Sequence, residues 1–154
     1  KESKWTDQEI GVAIGRGVLV IPVRKDLDPY GFIGKYQGFQ AVGKNIGQVA
    51  EGIFNILSKN PKTRLKLINI LVDLFLLSND SEEAIERIVA IKKISDFPLD
   101  KVNHLRQRLT DNKNLKSQKI LTEFNGLLKN FGLEEVKLKD FDKITEEIQD
   151  DLPF

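Results

Sequence analysis

The chain contains no cysteine and no methionine, and among its 154 residues there is one histidine and one tryptophan. Without cysteine there can be no disulfide framework, no thiolate nucleophile and no cysteine metal site. His104 alone cannot build a histidine cluster, so structural zinc is excluded and no metal is expected. An excess of one charge sign is also missing: 24 Lys and Arg face 23 Asp and Glu, interspersed along the chain. A phosphate-tracking surface is therefore not expected, and neither is nucleic acid as a partner. Long hydrophobic runs are absent too. The most apolar stretch, Leu65 to Leu77, is too short for a bilayer and is broken by Asn69 and Asp73. Residues 1–15 lack the apolar segment of a signal peptide. These absences predict a cytoplasmic protein with no membrane partner. The missing Met at position 1 further suggests a segment of a longer polypeptide.

What is present is ordinary material for a folded core, with 40% hydrophobic and 31% charged residues. Ser3-Lys4-Trp5-Thr6-Asp7-Gln8-Glu9-Ile10-Gly11 reads as the start of a helix. Thr6 is placed to cap it, with Glu9 three residues later completing a capping box. Ile10, Ala13 and Ile14 supply a short apolar face. Gly15-Arg16-Gly17 is a tight turn, and Val18 to Val23 is a continuous β-branched run of the kind buried in a covered parallel sheet. Residues 24–34 carry Asp-Pro, glycine and aromatics and read as a loop.

From about residue 44 the pattern becomes helical. Ile46, Val49, Ala50, Ile53, Phe54 and Leu57 keep a helical period. Asn60-Pro61 marks the next helix start, and the helix through Leu77 is apolar on most sides, as a central buried helix would be. Asp80 and Glu83 suggest a second capping box ahead of Ile85, Ile88 and Val89. Leu99, Val102, Leu105 and Leu109 form a further stripe. After a turn at Asp111-Asn112-Lys113-Asn114, a helix runs from Ile120 to Phe131 and ends at Gly132. Phe141, Ile144 and Ile148 suggest a last acidic helix. The expected architecture is mostly α: an α/β remnant with at least one buried strand in residues 1–59, and an all-helical module in 60–154.

Among the charged residues, Glu9 is the candidate for chemistry. A carboxylate in the first turn of a helix is held as the anion by the helix dipole. Cleavage of a glycosidic bond passes through an oxocarbenium-like state, which a fixed carboxylate stabilises. His104 reads as solvated surface. The acidic pairs at 80–86 and 146–151 read as helix-end charge and a solvated face.

Trp5-Thr6-Asp7-Gln8-Glu9-Ile10, followed by Gly17-Val18-Leu19-Val20-Ile21-Pro22-Val23, resembles the second half of a TIR (Toll/interleukin-1 receptor) domain, a flavodoxin-like α/β fold. In that family a Trp stands four residues before a Glu on a helix, and the next strand ends in Ile-Pro or Val-Pro. Asp28-Pro29-Tyr30-Gly31-Phe32-Ile33-Gly34, with Gln37, looks like the following loop of bacterial TIR-like proteins. The resemblance covers roughly residues 1–57. Thr6 departs from it, standing where many members have Cys. It implies that Glu9 is the catalytic residue for releasing nicotinamide from NAD, that Trp5 binds at the substrate site, and that NAD is substrate, with no cofactor. It also implies self-association through TIR units. The family's first strand, its loop and the next helix–strand units would precede Ser3, so the 154-residue chain by itself is expected to be inactive.

Three other readings stand beside this one. Glu9-Ile10-Gly11-Val12-Ala13 also resembles the Glu-x-Gly-x-Ala element of nucleoside 2-deoxyribosyltransferases, in which the Glu attacks the sugar carbon. A non-enzymatic TIR adaptor would use Glu9 only as a helix cap. In a helical scaffold, residues 60–154 would carry the function through a protein partner.

Overall fold

The computed structural model describes residues 4–25 and 38–142, with side chains from Asp7 onward in the first of these segments. The loop motif at 28–37 and the terminal segment bearing Ile144 and Ile148 lie outside the described residues. The described chain is mostly helical, with one small parallel sheet. It divides into two compact units, residues 1–65 and 66–154.

The first unit runs helix, strand, strand, helix. α1 spans Lys4–Gly15. Its end is set by Gly17, which adopts φ 69°. The Gly17 N–H donates to the Ile14 carbonyl at 2.9 Å, and the Val18 N–H donates to the Ala13 carbonyl at 2.9 Å. This is a Schellman closure, and it needs a residue without a Cβ at the left-handed position. The chain then enters β1 (Val23–Arg24), which pairs in parallel with β2 (Phe39–Gln40) in the register Val23 to Phe39. The Phe39 N–H donates to the Pro22 carbonyl and the Ala41 N–H to the Arg24 carbonyl, both at 2.7 Å. Gly38 permits this approach, since a Cβ there would stand 2.8 Å from Arg24 Cγ and 3.2 Å from the Pro22 oxygen.

A β-turn with Gly43 at φ 71° leads to α2 (Ile46–Lys59). Asn45 caps this helix through a reciprocal box: its side chain accepts from the Gln48 N–H, and Gln48 accepts from the Asn45 N–H, both at 2.9 Å. At the other end Thr63 Oγ1 donates to the Leu57 carbonyl at 2.7 Å, and the Arg64 guanidinium donates to the Ser58 carbonyl at 3.0 Å. α2 meets the sheet at one tight point. A Cβ on Gly52 would lie 2.1 Å from the Phe39 ring, so the aromatic packs directly on helix backbone.

Burial in this unit is shallow. Among its described residues only Ala41 and Ser58 are buried. The run Val18–Val23, expected inside a covered sheet, ranges from half-buried to exposed, with Val18 58% and Val23 47% exposed. β1 has a single strand neighbour among the described residues, and two strands do not enclose an apolar face.

The second unit closes a full core. α3 spans Arg64–Leu76, beginning in the first unit, and is followed by α4 (Ser81–Lys92), α5 (Leu99–Arg108) and α6 (Gln118–Asn130). Short 3-10 turns at Leu109–Asp111, Lys113–Leu115 and Leu138–Phe141 complete it. Ile68, Val72 and Phe75 of α3, Ala84, Ile88 and Ile91 of α4, Val102 and Leu105 of α5, and the apolar face of α6 are all buried. Phe75 stacks on Phe124, with ring centroids 6.0 Å apart. α6 supplies five buried residues and is the central helix. α3 is not, because its Leu65, Ile70 and Leu74 are exposed. Gly132 closes α6 as its sequence position foretold, at φ 65°. The capping box expected at Asp80 is only half made. Asp80 accepts from the Glu82 and Glu83 N–H groups, whereas the Glu83 carboxylate takes the Asn79 N–H and pairs with Arg87 at 3.0 Å.

One polar node ties the turn after α5 to the end of α3. Asn112 Nδ2 donates to the Leu76 and Ser78 carbonyls, each at 2.9 Å, while its Oδ1 accepts from the Asn114 N–H at 3.0 Å. Buried Ser78 and the Arg87 guanidinium satisfy the remaining carbonyls of that helix end.

Two stability predictions follow from these contacts. Gly52→Ala should lower stability by about 1–2 kcal/mol, because overpacking the Phe39 ring outweighs a helix-propensity gain of about 1 kcal/mol. Gly47→Ala in the same helix, where a Cβ would make only an ordinary contact at 3.4 Å, should be neutral or stabilising in denaturant unfolding. Asn112→Asp should cost about 1–2 kcal/mol, since it keeps the Asn114 contact but removes both donations to part-buried carbonyls, leaving Ser78 only the longer 3.3 Å bond from Asn114 Nδ2. Equal stability of Asn112→Asp and wild type in urea would contradict this account.

Candidate functional site

Trp5 and Glu9 are four residues apart on α1, which places both positions on one helix face. Glu9 is exposed. The helix begins at Lys4, two residues before the expected cap, so Thr6 lies within its first turn. Glu9 is the sixth helical residue and sits in the second turn; the first-turn acid is Asp7. A helix that can add another hydrogen-bonded residue at its start does so, and nothing at Thr6 stops it. The capping role for Glu9 therefore falls away. Stabilisation by the helix dipole, which fades beyond the first turn, falls with it. What remains is a solvent-facing carboxylate on a rigid element, one turn from the tryptophan position.

At the far end of α1, Lys62 Nζ donates to the Gly17 carbonyl at 3.1 Å, placing a cation at the helix C-terminus. A small hollow of about 220 Å³ beside it is lined by Ile14, Val18 to Val20 and Asn60. With its lysine already engaged, this contact acts as a brace for α1.

A larger open cleft of about 400 Å³ lies where both strands end. Val23 and Ala41 come from the strand ends, and Ile46, Val49, Ala50 and Ile53 from α2. Its two cations, Lys25 and Lys44, have no anionic partner among the described residues. The sequence reading passed over both lysines. The available signal was Gly43-Lys44-Asn45 lying between a strand and a helix, a junction where a basic side chain stands beside helix N–H groups.

The second unit has a polar cleft of about 400 Å³ lined by Leu76, Ser78, Asn79, Arg108, Asp111 and Asn112, among others. Its polar groups are already committed. Asn112 holds backbone carbonyls, and Arg108 pairs with Asp111. His104 is exposed on α5. Among the described residues, no group of three or more His, Asp and Glu could hold a metal ion. No helix among them is long and apolar enough to cross a membrane.

Because Glu9 neither caps α1 nor is buried, Glu9→Gln should change stability by no more than about 0.5 kcal/mol, the range of exposed surface substitutions. Thermal unfolding of the two proteins side by side measures this, and a loss above about 1 kcal/mol would restore a structural role to Glu9. Comparison of the chain with protein-family models, with curated proteins and with solved structures finds no match.

Proposed function

We propose that residues 1–59 are the C-terminal part of a TIR-like α/β unit that cleaves the nicotinamide–ribose bond of NAD. In this reading the helical module of residues 60–154 serves interaction or sensing. The observation that carries the proposal is the parallel pairing of β1 with β2 directly after a helix bearing Trp5 and Glu9. In a flavodoxin-like sheet of order 2-1-3-4-5, the last two strands are parallel neighbours, each flanked by helices. The order α1-β1-β2-α2 supplies two parallel neighbours with a helix before and after them, the residues between β1 and β2 lying outside the described ones. The charge of this part also suits a dinucleotide substrate, since residues 1–65 carry ten Lys and Arg against six Asp and Glu.

Glu9 acts as an ionised carboxylate. As the C–N bond to nicotinamide breaks, positive charge builds on the ribose ring, and the carboxylate stabilises it. Nicotinamide leaves with the bond electrons, and water adds to the sugar carbon. Trp5, one turn earlier, flanks the bound substrate. On this reading the edge of β1 away from β2, which has no strand neighbour among the described residues, is where further strands complete the sheet, and assembly of neighbouring units completes the site.

The exposed apolar residues of the Val18–Val23 run favour a second reading, a self-associating adaptor without chemistry. Val18 and Val23 are both exposed among the described residues, and apolar surface beside a strand invites pairing. Glu9→Gln separates the two. In the natural full-length protein the substitution should reduce NAD cleavage by about a hundredfold or more, the scale of losing about 3 kcal/mol of transition-state electrostatics. Nicotinamide release followed by chromatography gives the readout, and self-association should be unchanged. Undiminished cleavage by the Glu9→Gln protein, or robust release by the 154-residue chain alone, would overturn the enzymatic reading.

A further inference from the structure

We infer that the cleft at the carboxyl ends of β1 and β2 binds a nucleotide, with its base in the apolar hollow and its phosphate against Lys25 and Lys44. Glu9 is not among the residues that line this cleft, and the inference stands whether or not Glu9 performs chemistry.

Three independent features converge there. The first is place. In open α/β sheets ligands bind outside the carboxyl ends of parallel strands, and this cleft is bounded by the residues that follow those ends. The second is shape and lining. A volume of about 400 Å³ lies within the range of small-molecule sites, which are mostly apolar with a few polar groups that orient the ligand. Val49 and Ile53 lie on one face of α2, four residues apart, and with Val23 and Ala41 give the cleft an apolar lining suited to a flat ring. Ile46 stands 90% exposed at the mouth, an apolar cost that a seated ring would offset.

The third feature is charge. Lys25 follows β1 and Lys44 precedes the cap of α2, so the rim carries two cations with no described anion beside them. The reciprocal cap uses the Asn45 and Gln48 N–H groups. It leaves those of Ile46 and Gly47 without a partner among the described residues. An anion held by Lys44 would lie beside these two donors. The span from Gly38 to Lys44 has the spacing of a phosphate-binding loop, yet β2 lies inside that span instead of ahead of it. The backbone therefore does not wrap the phosphate, and recognition falls to the lysines and the helix start.

The test is titration of the intact 154-residue chain with AMP, followed by amide NMR shifts, with adenosine and inorganic phosphate as separate probes. AMP should shift the amides of residues 41–53. Adenosine and phosphate, each lacking one half of the contact, should bind about tenfold more weakly or worse. Replacing both lysines (Lys25→Gln with Lys44→Gln) should weaken AMP about tenfold and leave adenosine unchanged. Ala50→Phe, at an exposed helix position lining the cleft, should fill the hollow and weaken AMP and adenosine alike. Glu9→Gln should leave all three titrations unaltered, so loss of NAD cleavage is read apart from loss of this site. The inference is overturned if AMP does not bind or is indifferent to the lysine pair. It is equally overturned if AMP is indifferent to Ala50→Phe, or if phosphate alone binds as tightly as AMP.

Discussion

Parallel pairing of two short strands is the constraint on which the first unit depends. A hairpin cannot join parallel neighbours; the chain must leave at one end of the sheet and return to the other, which takes about a dozen residues or more. Residues 25–38 make that connection between Arg24 and Phe39. Once the register Val23 to Phe39 is set, both carboxyl ends lie side by side. Lys25 and the turn at Gly43 then emerge at one edge, and the first turns of α2 line the same hollow. The cleft, its two lysines and the direction of α2 are consequences of two backbone hydrogen bonds and the glycine that lets Arg24 come close.

The two units satisfy the same rule to different degrees. In the second, four helices turn their apolar faces inward and bury Phe75, Ile88, Leu105 and Phe124 completely. Its polar corner is equally settled, because Asn112, Ser78 and Arg87 provide donors for the carbonyls that end α3. In the first, the strands present β-branched residues that remain partly wet, and α2 keeps Ile46 at the surface. Apolar area left in water contributes nothing to stability and invites association. The self-contained unit is thus the helical one, and the α/β unit carries the unfinished surfaces.

Much of this was legible in the sequence, for reasons that differ element by element. Gly17 and Gly132 announced helix ends because only a residue without a Cβ sits easily in the left-handed region. The stripe from Ile120 to Phe131 announced α6, because five of its residues recur on one side. Asp111-Asn112-Lys113-Asn114 announced a turn, but not that Asn112 would reach back to Leu76 and Ser78, a long-range contact that no local spacing records. Thr6 misled because capping depends on where the helix begins, and nothing after Lys4 forces a later start. α3 misled because apolar residues all around a helix do not reveal how many neighbours it has. Of the candidate sites, Glu9 was visible through its spacing from Trp5. Lys44 left a trace in Gly43-Lys44-Asn45, but its meeting with Lys25 did not, since only the parallel register brings residues so far apart in sequence to one edge.

That register also bears on how Glu9 and the cleft relate. On the TIR-like reading, the helix that feeds a strand runs back along the sheet antiparallel to it, so its final turn lies at the strand's amino end. The Schellman turn at Gly17 marks that final turn in α1. The first half of α1, with Trp5 and Glu9, then belongs to the opposite edge, where β1 and β2 end and the lysines stand. A carboxylate that stabilises a developing cation and a cationic rim that holds phosphate are complementary only if they are kept apart. Placed adjacent, they would neutralise each other as an ion pair. Among the described residues no ion pair joins Glu9 to Lys25 or Lys44, which is the condition both proposed roles would require.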